Sequence, residues 1–188
     1  MTSPLSGPVT GPVTGPVTGA PERCEECGFD YAGVPAEEVP ARLRGFGPAY
    51  AAAVAEVADV RRRPAPHTWS ALEYACHVRD VFRVQLLRLE LALREDEPTF
   101  ASMGRDELAV SSRYNGQEPE LVLAGLTGAA DALAAVFGVL GPAQLDRTAA
   151  YPWGSATAVR SMRWLGQHTV HEGVHHLLDI RRQAGGAA

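Results

Sequence analysis

Trp164-Leu-Gly-Gln-His168-Thr-Val-His171-Glu172-Gly-Val-His175-His176-Leu-Leu-Asp179-Ile180 is the stretch that decides how this chain is read. Four of the six histidines fall within it, together with two carboxylates. Gly166 and Gly173 apart, nothing between positions 156 and 183 breaks a helix, so the pattern predicts one long helix. At 100° per residue, His168, Glu172, His176 and Asp179 lie within roughly 80° of one another, and Met162, Leu165 and Thr169 extend that stripe. His171 and His175 form a second stripe, each about 100° from its neighbour in the first. Either i, i+4 pair could grip a metal ion from one face of the helix. A complete site needs at least one more ligand from elsewhere in the chain.

The histidine helix has three long partners in the sequence. Thr68-Trp69-Ser70-Ala-Leu-Glu73 opens a helix running to about 94, with Ser70 and Glu73 spaced as a capping box. Leu72, Ala75, Cys76, Val81, Phe82, Leu86, Leu89 and Leu93 give it a broad apolar stripe, and His77 lies among them. Glu118-Pro119-Glu120 opens another, to about 140, rich in Ala, Leu and Val. Between 35 and 62 the pattern is again helical, but Gly45, Gly47 and Pro48 interrupt it, predicting a short helix near 36–44 and a longer one over 48–62. Residues 95–117 form the longest irregular connection, with a short helix over 105–112; Phe100, Met103, Arg113, Tyr114 and Asn115 could line a pocket there. Residues 146–155 read as a loop, and no segment alternates with period two for long enough to argue for a sheet. Four long amphipathic helices predict an all-α four-helix bundle with a long crossover between its second and third helices, and such bundles hold metals in their cores.

The remaining composition bounds the function. The chain has 188 residues, 46% of them hydrophobic, enough for one domain with a core. A net charge of −5 leaves no electrostatic footprint for nucleic acid. No run approaches a membrane span and no secretory signal opens the chain, so a cytoplasmic protein with a small-molecule substrate is expected. Residues 1–22 repeat Gly-Pro-Val-Thr and are expected to be a disordered tail. The segment 23–34 carries Cys24-Glu-Glu-Cys27-Gly28, which looks like one knuckle of a zinc ribbon, and the bundle follows over 35–184. With no second Cys-x-x-Cys, Cys24 and Cys27 could share a second, structural zinc with a histidine or with another chain, serve as a redox dithiol, or bind nothing.

Trp69-Ser70-Ala-Leu-Glu73-Tyr-Ala-Cys-His77 resembles the Trp-Ser-x-x-Glu-x-x-x-His opening of the second helix in the DinB/YfiT-like superfamily, and the His168–Ile180 stretch is similar to that superfamily's last-helix motif. The resemblance covers roughly 36–183. It implies a divalent metal, zinc first and nickel or iron next, held by His77, Glu172 and His176. Glu172 stands where the commonest pattern has a histidine, a departure shared by the mycothiol-dependent maleylpyruvate isomerase branch. His77 with His171 and His175 is the competing set; the doubled His175-His176 and the continuity of the 172/176 face with Met162, Leu165 and Ile180 favour the first. His168 and Asp179 would flank it. The resemblance further implies thiol transfer or isomerisation with a low-molecular-weight thiol such as mycothiol, and a homodimer. A non-catalytic metal-binding bundle and a metal-dependent hydrolase, with His168 or His171 as base, are the alternatives. Arg79, Arg83, Arg113 and Arg160 are candidates by charge alone to receive a carboxylate of the small molecule.

Overall fold

The computed structural model describes residues 23–153 and 156–184; the Gly-Pro-Val-Thr repeat lies outside them. Four long helices dominate: α1 (Val39–Ala55), α2 (Ala71–Arg94), α4 (Pro119–Phe137) and α6 (Met162–Ala184). The shorter α3 (Arg105–Ser111) and α5 (Pro142–Leu145) lie in the connections. α1 and α2 each pack against both α4 and α6 and barely meet each other. The chain therefore crosses the diagonal of the bundle between α1 and α2, and again between α4 and α6.

α2 begins where its local signals put it. The Ser70 hydroxyl accepts from the Glu73 N–H, and the Glu73 carboxylate accepts from the Ser70 N–H, closing the capping box. α1 does not break at Pro48 as the sequence suggested; it runs unbroken from Val39 to Ala55 after a single 3₁₀ turn at Ala36–Glu38. Pro48 lies on the solvent side, and the carbonyl it deprives of a partner belongs to Arg44, also exposed. The opposite face buries Leu43, Phe46, Gly47, Tyr50, Ala53 and Val54. That continuous apolar stripe outweighs the local penalty.

A second correction concerns 146–161. Much of the expected loop, and the expected first turns of the last helix, form an antiparallel hairpin of β1 (Thr148–Trp153) and β2 (Ala156–Ser161), with Ala150 opposite Val159. The bundle stays the fold, and the hairpin is an addition on its side. Phe100 N–H donates to the Ala150 carbonyl, and Ala150 N–H to that of Pro98, so the long α2–α4 connection is laced to the hairpin. By length and composition α4 would pass as a membrane span, contrary to the sequence expectation, but it packs against α1 and α2 within the bundle.

α6 closes the core. Tyr50 donates to the Gly173 carbonyl at 2.8 Å, and a Cβ on Gly173 would overlap the Phe46 ring. Glycine is required there by the closeness of α1 to α6. The segment before α1 belongs to the same core: Phe29, Tyr31 and Val34 are buried with the bundle's apolar residues.

Candidate metal centre

α2 and α6 pack side by side, and each brings its chemistry to the shared seam. His77 is on the buried face of α2; Glu172 and His176 are one turn apart on α6. Their donor atoms converge. Glu172 Oε2 lies 3.6 Å from His77 Nε2 and 3.7 Å from His176 Nε2. One atom from each residue falls within 4.8 Å of the other two. The other nitrogen of His176, Nδ1, is 2.9 Å from Asp179 Oδ2, the carboxylate–imidazole contact that orients a metal-binding ring. His77 Nδ1 is buried with no hydrogen-bond partner among the described residues.

The electrostatics suit a cation. Burial holds the His77 imidazole below its ordinary pKa, so it is the neutral form that can ligate. Burial pushes the Glu172 carboxyl up, but His176 and His77 beside it outweigh that and hold it well below the usual carboxylate range. Burial depresses His176 too, yet Asp179 and Glu172 raise it to about 9. Two carboxylates thus hold a proton on His176, on the side where a divalent ion would replace it.

Three further side chains frame the seam. His168 stacks on Trp164 with ring centres 4.6 Å apart and points Nε2 toward Glu172 Oε1 at 3.8 Å. Burial keeps His168 neutral at ordinary pH. The Tyr31 hydroxyl lies 2.9 Å from His168 Nδ1 and 3.0 Å from His171 Nδ1. One hydroxyl proton serves one of these nitrogens, so the other must donate to the oxygen.

A cleft of about 470 Å³ opens onto His77, His168 and Glu172. Met103, Arg105, Arg88 and Tyr151 line it. Of the five residues picked from the long connection, Met103 alone reaches this cleft. Phe100 is buried, Tyr114 turns into the core to donate to Asp80, and Asn115 bonds Ser70 and the Arg61 carbonyl. Among the four arginines picked by charge, Arg79 and Arg83 pair with Asp80, Arg160 lies over Trp164, and none of the four lines the cleft. Arg88 and Arg105 line it instead. Arg88 is pinned by Tyr151 and the Ala101 carbonyl; the Arg105 guanidinium has an exposed ion pair with Asp106. Neither residue carries a sequence signal that separates it from other helix arginines.

His171 and His175 are not among the residues lining the cleft; both group with Cys24 and Cys27, while His171 is also within reach of His168 and Glu172, and His175 of His176 and Asp179. The competing set of His77, His171 and His175 does not assemble as one cluster among the described residues.

The geometry can be set beside known proteins. No curated protein matches the chain significantly. Among solved structures, it is similar to YfiT from Bacillus subtilis, described as a probable metal-dependent hydrolase with an unusual four-helix bundle topology. The TM-score is 0.69 at 16% identity, covering 91% of this chain and 95% of that one, a likeness of fold. A sequence profile of the DinB superfamily matches residues 47–180. That span takes in His77, Glu172 and His176 and leaves out Cys24 and Cys27. It covers well over half of the sequence, and the chain belongs to the DinB superfamily.

Proposed function

We propose that the chain is a metal-dependent enzyme in which His77, Glu172 and His176 hold a divalent ion, zinc first and nickel or iron next, and that it transfers or isomerises a substrate with a low-molecular-weight thiol such as mycothiol. The observation that carries this reading is the openness of the cluster. His77 and Glu172 line the 470 Å³ cleft, whereas a purely structural site would be closed by four protein ligands. Two imidazoles and one carboxylate suit such an ion and leave positions free. When bound, the ion would supply the Lewis acidity that lowers the pKa of a thiol or a water.

The chain's own residues supply the rest. Asp179 fixes the His176 ring through Nδ1. His168 stands at the cleft wall, neutral, where it can hold a proton at Nε2 beside Glu172. Arg105 is the cleft cation free enough to receive an anionic substrate group. Tyr151, held by Gln85 and Arg88, stands edge-to-face with His168 in the cleft lining. The His/Glu/His donor set supports the thiol branch, because the mycothiol-dependent isomerases resemble it there.

Hydrolysis is the second reading, supported by His168, a neutral imidazole in the cleft, and by the description of YfiT. It requires His168 to accept a proton at Nε2. The deciding assay gives metal-loaded protein an electrophilic or cis-enoic acid substrate with and without thiol, and in parallel an ester or amide panel in water. Turnover that depends on thiol and vanishes in His77→Ala supports the proposal. Turnover in water alone replaces it with the hydrolase, and loaded protein inert in both assays makes the bundle a non-catalytic metal binder.

A further inference from the structure

The geometry points to a second, closed metal site in this chain: a tetrahedral zinc held by Cys24, Cys27, His171 and His175. One donor atom from each of the four residues lies within 4.8 Å of the others. The Cys24 Sγ to His175 Nδ1 distance is 3.6 Å. Zinc bonds of about 2.3 Å to sulfur and about 2.0–2.1 Å to nitrogen, at tetrahedral angles, put sulfur and nitrogen about 3.6 Å apart. Two thiolates would balance the charge of the ion.

The ligands come in pairs from two parts of the fold, the Cys-x-x-Cys turn and α6. Gly28, with φ of +72°, turns the chain so that its N–H donates to the Cys24 carbonyl at 2.8 Å, and Cys24 N–H donates to Phe29 O at 2.8 Å. That turn brings both cysteines of the Cys-x-x-Cys to one side; both are thiols, not a disulfide. His171 and His175 sit at i and i+4 on α6, presenting adjacent rings 5.3 Å apart. His175 Nε2 lies 3.4 Å from Glu26 Oε2, within the same Cys-x-x-Cys loop, leaving Nδ1 toward the sulfurs. His171 Nδ1 is engaged by Tyr31, and its Nε2 is buried with no hydrogen-bond partner among the described residues. A buried ring nitrogen without a partner is costly, and a metal ion satisfies it.

The ion also settles the protons along the Tyr31 link. With Nε2 of His171 on the metal, its Nδ1–H donates to the Tyr31 oxygen. Tyr31 then gives its own proton to His168 Nδ1, and His168 turns an N–H at Nε2 toward Glu172. The zinc knuckle thereby pins the segment before the bundle to α6 and sets the hydrogen-bonding state of one wall of the cleft.

The test is metal content and cobalt spectroscopy on the full chain purified under reducing conditions. Wild type should hold about two zinc ions per chain, Cys24→Ser and His171→Ala about one, and His77→Ala about one from the other site. Cobalt-loaded wild type and His77→Ala should show intense near-ultraviolet thiolate-to-cobalt absorption, and Cys24→Ser should lack it. The wild-type spectrum needs no variant to fold, so unfolding of Cys24→Ser leaves the test intact. Cobalt-saturated wild type without thiolate absorption, or folded Cys24→Ser with wild-type zinc content, overturns the site. A wild type that holds one zinc, kept in His77→Ala and lost in Cys24→Ser, would count against the cleft proposal and leave this one standing.

Discussion

His175 and His176 are neighbours on α6 and stand in two different surroundings. His176 is buried against α2, with Glu172 at its Nε2, Asp179 at its Nδ1 and the His77 ring centre 4.9 Å away, beside a cleft. His175, one residue and about 100° away, faces sulfur and the Cys-x-x-Cys loop. The two faces share a helix, a length scale and much of their histidine chemistry. What separates them is the partner each face meets. Nitrogen and oxygen donors at an open seam leave room for a substrate; sulfur and nitrogen donors under a knuckle leave none. A single helix can therefore carry two clusters with distinct tasks, because adjacent residues diverge while i, i+4 residues converge.

The largest effect should come from removing a ligand on the open face. His77→Ala should abolish turnover and the cleft ion together, a larger effect than the about 10–100-fold typical of an outer partner. Activity against thiol and electrophile, with metal content on the same sample, reads both. If activity survives loss of the cleft ion, the open face is not the seat of catalysis. Asp179→Asn should act next most strongly, weakening the cleft ion about 10–100-fold by loosening the His176 ring. Competition with a chelator measures it. Cobalt–thiolate absorption should be unchanged in the same variant, and a parallel loss there would show that the two faces are one coupled unit.

Gly173 lies beside Glu172, turned into the α1 interface. Gly173→Ala adds a methyl that would overlap the Phe46 ring, which α1 and Phe82 hold in place. Overpacking of this kind costs about 1–3 kcal/mol, against about 1 kcal/mol gained in helix propensity. Thermal unfolding of the metal-loaded protein should therefore show a net loss of up to about 2 kcal/mol. A gain in stability would mean that α1 and α6 can separate at no cost. Gly173→Ala paired with Phe46→Leu should recover part of the loss.

What was legible in the sequence was local or periodic. The start of α2 could be read because Ser70 and Glu73 satisfy each other within a single turn. The convergence of Glu172 and His176 could be read because it needs only the 100° step of a helix. His77 entered through its likeness to a family motif, since one histidine on an apolar stripe says little alone. Pro48 misled because the cost of a proline depends on which side of the helix loses its hydrogen bond, and that is decided by packing. The hairpin was hidden because Thr-Ala-Ala-Tyr-Pro-Trp is weakly alternating and its pairing is completed by Pro98 and Phe100 about fifty residues earlier. Tyr31 escaped for the same reason on a longer scale: its partners, His168 and His171, are 137 and 140 residues away. Long-range contacts of single polar residues leave no period to detect.

The smallest effect is expected at the N-terminus of α2, and it separates the faces through stability. Ser70→Ala removes a buried cap and should cost about 1 kcal/mol. Its partner Glu73 adds a pH signature. Burial pushes the Glu73 carboxyl up, but Arg63, 2.7 Å away through Nε, and the Ser70 N–H outweigh it and hold it below its usual range. A depressed folded pKa contributes stability that is fully present above the unfolded value of about 4.3 and is lost as pH falls through the folded pKa. Wild type should therefore exceed Glu73→Gln most at neutral pH, and the gap should narrow below about pH 4. Denaturant unfolding across that range checks the sign; a gap that widens in acid would mean Glu73 acts through its protonated form. Because this turn lies just ahead of His77, loosening it should weaken the cleft ion modestly and leave the cobalt–thiolate signal of the opposite face unchanged.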